Sequence, residues 1–225
     1  RPPMKQDLLG ALRAGRRLSL RQQIGLVAQL SLPAILAQVS SIIMQYIDTS
    51  MVGSLGTNAS AAIGLVASTT WLFGGLCRAL MVGFCVQAAQ RIGAGDERDA
   101  RNLVRQSIVS GLAFGLLLAA IGAALSGALP RWLGADAAIW ADAASYFLVF
   151  SLALPFFQLN RLAAGLLQAS GNMRTPSILL VLMCPLDVVF NFFLIFPTRQ
   201  LGGITVPGAG LGVTGAALGT ALAEA

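Results

Sequence analysis

Two aspartates lie inside long uncharged segments, where a carboxylate is costly. Asp48 is the first charged residue after Arg21, and Asp187 lies midway between Arg174 and Arg199. Exposing such a group to lipid costs at least ~2.5 kcal/mol, so an aspartate inside a membrane is by default a candidate functional residue. Asn191 follows Asp187 by four residues, which places both side chains on one face of a helix.

These side chains have the chemistry of a site for a proton or a monovalent cation. Asp48 and Asp187 would form a like-charge pair, which raises the proton affinity of one carboxylate or attracts a cation. Asn191 and Thr220 would add neutral oxygens, which a hard cation such as sodium accepts. The structural alternative is that each aspartate caps a broken helix or lies near the membrane surface. The chain has no histidine, and its three cysteines have no metal-site spacing, so no other metal and no cofactor are expected.

Both aspartate-containing segments also contain a proline. Pro185 cannot donate a hydrogen bond to the carbonyl of Val181, so the helix is free to kink there. Pro33 has the same effect in the first segment, although a static packing kink explains it equally well. The pattern is typical of helices that bend beside a polar cavity.

The composition indicates a helical membrane protein. Only 11% of the 225 residues are charged, against roughly 25% in soluble domains, and the mean hydropathy is +0.76. Uncharged runs of 26 and 25 residues follow Arg21 and Arg105, and a bilayer core needs about 20 apolar residues per helix. Two glycine pairs, in "GLAFG" and "GAALG", match the small-xxx-small pattern of close helix contacts.

We therefore predict an all-α fold, a polytopic six-helix transmembrane bundle. "SLRQ" at 19–22 matches a capping box that starts the first span. Residues 1–23 would form a cytoplasmic basic tail, either disordered or a short interfacial helix. Because the chain begins with Arg1 and ends within an apolar pattern, we expect a fragment, and a half-size transporter is the alternative. The six spans of the transmembrane unit 24–225 are predicted at about 24–52, 61–90, 103–128, 142–168, 177–196 and 211–225.

The distribution of charge predicts the orientation. Eleven Lys and Arg residues fall in the tail and the second and fourth connections, and two fall on the other side. The N-terminus is thus expected to be cytoplasmic, and the protein is expected in the plasma membrane, the inner membrane of a bacterium. The net charge of +6 then reflects topology and contact with anionic membrane lipid, not nucleic-acid binding. In this orientation the four candidate site residues share one depth.

The chain resembles the multidrug and toxic compound extrusion (MATE) transporters. The resemblance rests on motifs in the family's order: "LPAILAQVSSIIMQYIDTSMVGSLG", "RIGAGD", "LLQASGNMRTP" and "NFFLIF". It implies twelve helices in two six-helix lobes, of which this chain supplies the N-terminal lobe, with the C-terminal lobe as its missing partner. It also implies a secondary antiporter that exports organic, often cationic, drugs or toxic compounds in exchange for sodium ions or protons.

For the site, the resemblance implies that Asp48 is the first-span carboxylate that couples cations. Asp187, Asn191 and Thr220 would occupy the matching positions of the fifth and sixth spans. Some prokaryotic members carry Asn and then Asp in the fifth span, whereas here Asp187 precedes Asn191. The exchange moves the charge by one helical turn and leaves the choice between sodium and proton open.

Two other functions stay open from the sequence. One is a lipid-linked oligosaccharide flippase of the same larger superfamily, for which an arginine-rich cleft would be the sign. The other is a non-transporting membrane binding module. An enzyme is not expected, because the sequence offers no histidine, no cysteine pair with ligand spacing and no acidic cluster on one span beyond Asp187. The sequence does not identify the substrate.

Overall fold

Each of the six predicted spans is helical. The structure is a computed structural model that describes residues 19–201 and 204–224. Five of its helices are long and apolar enough to cross a membrane, so the prediction of an all-α membrane bundle is confirmed. In chain order the helices are α1 (Leu20–Gly53), α2 (Thr57–Gly93), α3 (Glu97–Leu125), α4 (Leu129–Trp132), α5 (Ala137–Ala169), α6 (Arg174–Ile195) and α7 (Gly212–Glu224).

Local sequence signals set the helix ends. α1 starts at the predicted capping box: the Ser19 hydroxyl accepts from the Gln22 amide N–H at 3.4 Å, and the Gln22 side chain accepts from the Ser19 N–H at 3.0 Å. In "RIGAGD", Gly95 adopts φ +77°, a left-handed conformation that suits glycine. Asp96 then caps α3 by accepting from the Asp99 N–H at 3.0 Å. Most of the predicted basic tail, residues 1–18, lies outside the described residues.

The helices pack as two groups that meet at α5. α5 packs against α2 and α3, while α6 packs against α1 and α7, and α7 also contacts α5. The first group has an apolar core that includes Val66, Phe73 and Phe147; the second has a smaller one around Val52 and Ile195. Tyr146 on α5 packs against both cores. The contact between α5 and α7 therefore joins the two groups into one bundle.

Both small-xxx-small motifs lie at helix contacts. A Cβ atom at Gly115 would lie 2.8 Å from the Pro155 Cα, so α3 approaches the α5 backbone closely. A Cβ at Gly215 would lie 2.5 Å from the Leu194 carbonyl oxygen, so α7 approaches α6 in the same way. Close approach of this kind requires glycine, since any side chain would clash.

Two connections contain more regular structure than we predicted. The segment between α6 and α7 forms an antiparallel hairpin of β1 (Pro197–Leu201) and β2 (Ile204–Ala209). The β-branched run 204–206 favours strands, but it lies between two apolar spans and is too short to indicate a hairpin by itself. The connection after α3 contains the single-turn helix α4, which has Pro130 in its first turn, a position where proline is tolerated.

Candidate functional site

The centre of the site is the Asn191 side-chain amide, which joins two helices. Asp187 and Asn191 lie one turn apart on α6, and both side chains are fully buried. The Asn191 Nδ2 group donates to Asp48 Oδ1 of α1 at 2.8 Å and to Asp187 Oδ2 at 3.0 Å. Both distances fit hydrogen bonds to carboxylates. One amide thus uses both of its N–H groups to hold two aspartates together.

The two carboxylates are close enough to oppose each other's charge. Because both oxygens accept from one nitrogen, they lie within about 6 Å of each other, the range in which like charges interact strongly. No Lys or Arg forms a salt bridge with either aspartate in the described part of the chain. The groups that contact the pair, the Asn191 amide and the Thr220 hydroxyl, are neutral, so a proton or a monovalent cation would relieve the remaining repulsion.

Each of the two buried α6 side chains also has one oxygen without a hydrogen-bond partner in the described residues. Asp187 Oδ1 and Asn191 Oδ1 are buried and have no hydrogen-bond partner within the described ranges. Buried polar atoms are normally paired, because leaving one unpaired costs about 1–3 kcal/mol. Carboxylate and amide oxygens are the ligands that a hard cation such as sodium accepts. The donor chemistry therefore fits a sodium ion as well as a proton.

Helix α7 also borders the site. The Thr220 hydroxyl donates to the Ala216 carbonyl at 3.2 Å and also interacts with the Asp187 carboxylate. Its neighbour Gly219 lies against Asn191, where an added Cβ would collide with the amide oxygen Oδ1. The structure thus brings all four predicted residues to one place, with Thr220 at the edge. Their role in cation coupling stays a prediction.

The two predicted kink prolines lie within helices that continue past them. Pro33 lies in α1 and Pro185 in α6, two residues before Asp187. Asp48 is only half-buried, whereas Asp187 and Asn191 behind it are sealed from solvent. Asp48 is therefore the more accessible of the two carboxylates. Whether α1 bends at Pro33 during function stays a prediction.

Sequence reasoning missed a second polar contact, between α5 and the end of α7. Asn160 Nδ2 donates to the backbone carbonyl of Glu224 at 3.2 Å. The Glu224 carboxylate has a buried, unpaired oxygen and interacts electrostatically with Arg161. The available signal was the spacing of Thr220 and Glu224, four residues apart on one helix face. No group of three or more potential metal ligands from His, Cys, Asp and Glu occurs in residues 19–201 and 204–224.

Comparison with known proteins shows which family this chain resembles. The MatE family model matches residues 33–193. The chain is 25% identical over 204 residues to a probable multidrug resistance protein NorM of Streptococcus pneumoniae (strain ATCC BAA-255 / R6), covering 91% of this chain and 44% of the relative. It is 30% identical over 198 residues to a probable multidrug resistance protein NorM of Neisseria meningitidis serogroup A / serotype 4A, covering 85% of this chain and 41% of the relative.

The fold matches solved transporters to a similar extent. A multidrug resistance MATE family transporter of the MOP superfamily, solved in an outward-facing conformation, superposes with a TM-score of 0.78 at 25% identity. The match covers 88% of this chain and 42% of that structure. This chain thus spans less than half the length of the proteins it matches, as an N-terminal lobe would. The family model covers most of the chain, and the chain belongs to the MatE family.

Proposed function

We propose that this chain is the N-terminal lobe of a secondary antiporter that exports organic, often cationic, compounds in exchange for sodium ions or protons. The observation that carries the proposal is the pair of aspartates joined by the Asn191 amide in the interior of the lobe. Relatives named as probable multidrug resistance proteins support the class of substrate. The C-terminal lobe would come from the part of the protein that follows this chain.

The geometry suggests how ion binding is linked to the shape of the lobe. With both aspartates ionised, the pair needs water or further donors, which favours an open and hydrated site around the half-buried Asp48. A proton or sodium ion removes the excess charge and allows Asp48 to be buried. Ion binding can shift the two states only because it stabilises one more than the other. α1 carries both Asp48 and Pro33, so it is the helix we propose to move.

Transport experiments on the full-length protein test this proposal. In inverted membrane vesicles, we expect a sodium or pH gradient to drive uptake of an organic cation, and Asp48→Asn to abolish the gradient-driven part while leaving the protein inserted and folded. Asp142→Asn is the matched control, because Asp142 is exposed and lies outside the site. Gradient-driven uptake that survives in Asp48→Asn would contradict the proposed role of Asp48.

We also propose that the protein lies in the bacterial plasma membrane with its N-terminus in the cytoplasm. The support is the charge asymmetry, since the connections α2–α3 and α5–α6 share one end of the bundle. The helix ends that they join carry Arg91, Arg98, Arg101, Arg105 and Arg174. We call this end of the bundle the basic end. A single cysteine introduced at Arg98 of a cysteine-free variant should react with an impermeant maleimide only after the cells are opened. Labelling in intact cells would reverse the orientation.

A further inference from the structure

An open groove runs between α1 and α6 near the basic end of the bundle. Its volume is about 380 Å³, which lies within the range of about 300–1,000 Å³ found for small-molecule sites. Its walls are aliphatic: Leu32 and Leu36 from α1 face Ile178, Val181 and Leu182 from α6. These side chains are exposed, with Ile178 at 58% and Leu182 at 55%. The groove is therefore a concave apolar surface that the described residues leave uncovered.

One cationic group stands at the end of this apolar groove. Arg174 is the first residue of α6, is exposed and lines the groove. The two ion pairs found within the described residues, Arg91–Asp99 and Arg101–Glu97, do not involve it. The start of α6 also carries the positive end of the helix dipole. Both features favour an anionic group at this position.

The neighbouring polar group, the Ser177 hydroxyl, already has a hydrogen-bond partner. Ser177 also lines the groove, but its side chain is buried and its hydroxyl donates to the Met173 carbonyl at 2.6 Å. The ligand therefore needs a negative charge at one end and an apolar body. A small aqueous anion would leave the aliphatic walls unused, and an organic cation would be repelled by Arg174.

A membrane phospholipid with an anionic headgroup has both properties. The groove lies between two membrane-spanning helices, and Arg174 marks the end where the lobe's other basic connections lie. We propose that this groove binds one anionic phospholipid, with an acyl chain between α1 and α6 and the phosphate on Arg174. Because Pro33 also lines the groove, the acyl chain contacts α1 at its proline. Lipid binding would therefore stabilise one conformation of that helix.

Lipid binding to the delipidated full-length protein tests the proposal. Native mass spectrometry would measure binding of phosphatidylglycerol and of phosphatidylcholine with matched acyl chains. Arg174→Gln should weaken phosphatidylglycerol binding about fivefold, the effect of one basic residue at an anionic lipid surface. It should weaken phosphatidylcholine binding less, because the choline cation offsets the charge of the same phosphate. Arg105→Gln is the matched control, since Arg105 is exposed at the same end and does not line the groove. Equal phosphatidylglycerol binding by the wild type and Arg174→Gln would overturn the proposal.

A second variant tests the apolar part of the site. Val181→Phe narrows the groove and keeps the charge, so it should weaken binding of both lipids to a similar extent, whereas Arg174→Gln should weaken binding of the anionic lipid more. Val181 is exposed, so the substitution does not disturb the core. A photo-reactive residue at position 182 should label phospholipid in membranes. Unchanged lipid binding in Val181→Phe, or a cross-link from position 182 to the remaining part of the protein's own chain, would show that lipid is not the occupant.

Discussion

Two buried side-chain amides in this lobe differ in their hydrogen-bond partners. Asn191, between α1, α6 and α7, donates to two carboxylates. Gln158, between α3 and α5, is equally buried, but neither its nitrogen nor its oxygen has a partner within the described residues. Its neighbours are Gly111, Gly115 and Leu162 at an apolar helix contact.

The comparison shows that burial of a side-chain amide does not by itself indicate a function. Burying an amide at an apolar helix contact lowers the stability of the fold unless the amide forms a hydrogen bond. An amide between two aspartates instead fixes the distance between two charges and links α1 to α6. On this account the α3–α5 contact is a rigid support, and the α1–α6–α7 contact is the responsive part of the lobe. Substitutions at the α1–α6–α7 contact should therefore change ion binding, whereas substitutions at the α3–α5 contact should change only stability.

The largest effect is expected from Asn191→Leu. The substitution keeps the number of side-chain heavy atoms but removes both N–H donors, so the two carboxylates remain close together without the amide between them. We expect the free energy of unfolding of the full-length protein to fall by about 3 kcal/mol or more, because hydrogen bonds to charged groups contribute about 1.5–3 kcal/mol each. Denaturant unfolding in detergent would measure it.

A double-mutant cycle provides the control for this variant. Adding Asp48→Asn to Asn191→Leu removes one charge and should recover part of the loss, which gives a coupling energy between the two positions. Strictly additive effects would mean that Asn191 stabilises the fold without regard to the carboxylates.

A smaller effect is expected from Gly219→Ala. The added Cβ would collide with Asn191 Oδ1 and lie 2.9 Å from Asn191 Cγ, so overpacking should cost about 1–3 kcal/mol and also weaken ion binding. Gly115→Ala is the matched variant in the other region, where the Cβ would lie 2.8 Å from the Pro155 Cα. It should cost a similar amount of stability and leave ion binding unchanged. Equal ion affinities in the two variants would remove the distinction between the regions.

The smallest effect is expected from Gln158→Leu. Replacing an unpaired buried amide with an aliphatic side chain of similar size should be neutral or should stabilise the protein by about 1 kcal/mol. Thermal unfolding would measure the change, and transport should stay at the wild-type level. A large loss of stability would show that Gln158 has a partner that the present contacts do not include.

The sequence was most informative where a polar residue interrupts an apolar run. Asp48, Asp187 and Asn191 could be selected because a charge or amide inside a membrane span is costly, and the spacing of the last two fixes their shared face. The capping box before α1 could be predicted because it depends on four consecutive residues. The fold class followed from hydropathy, which depends on composition along the chain.

The features that could not be predicted depend on contacts between distant segments. Nothing in the sequence shows that the Asn191 amide bridges two aspartates, because the partner Asp48 lies 143 positions away. The burial of Gln158 and Glu224 could not be predicted for the same reason, since it depends on which helices pack together. The hairpin between α6 and α7 is set by pairing across the connection and not by the short β-branched run alone.

Ion binding by the purified full-length protein tests the central claim most directly. Sodium titration by calorimetry, together with the protons taken up or released, should show one cation or proton bound at the aspartate pair in the wild type and in the control Asp142→Asn. Asp48→Asn should lose that binding step while keeping its thermal unfolding temperature. Identical sodium and proton titration curves for the wild type and Asp48→Asn would contradict the account, because the pair would then bind neither ion.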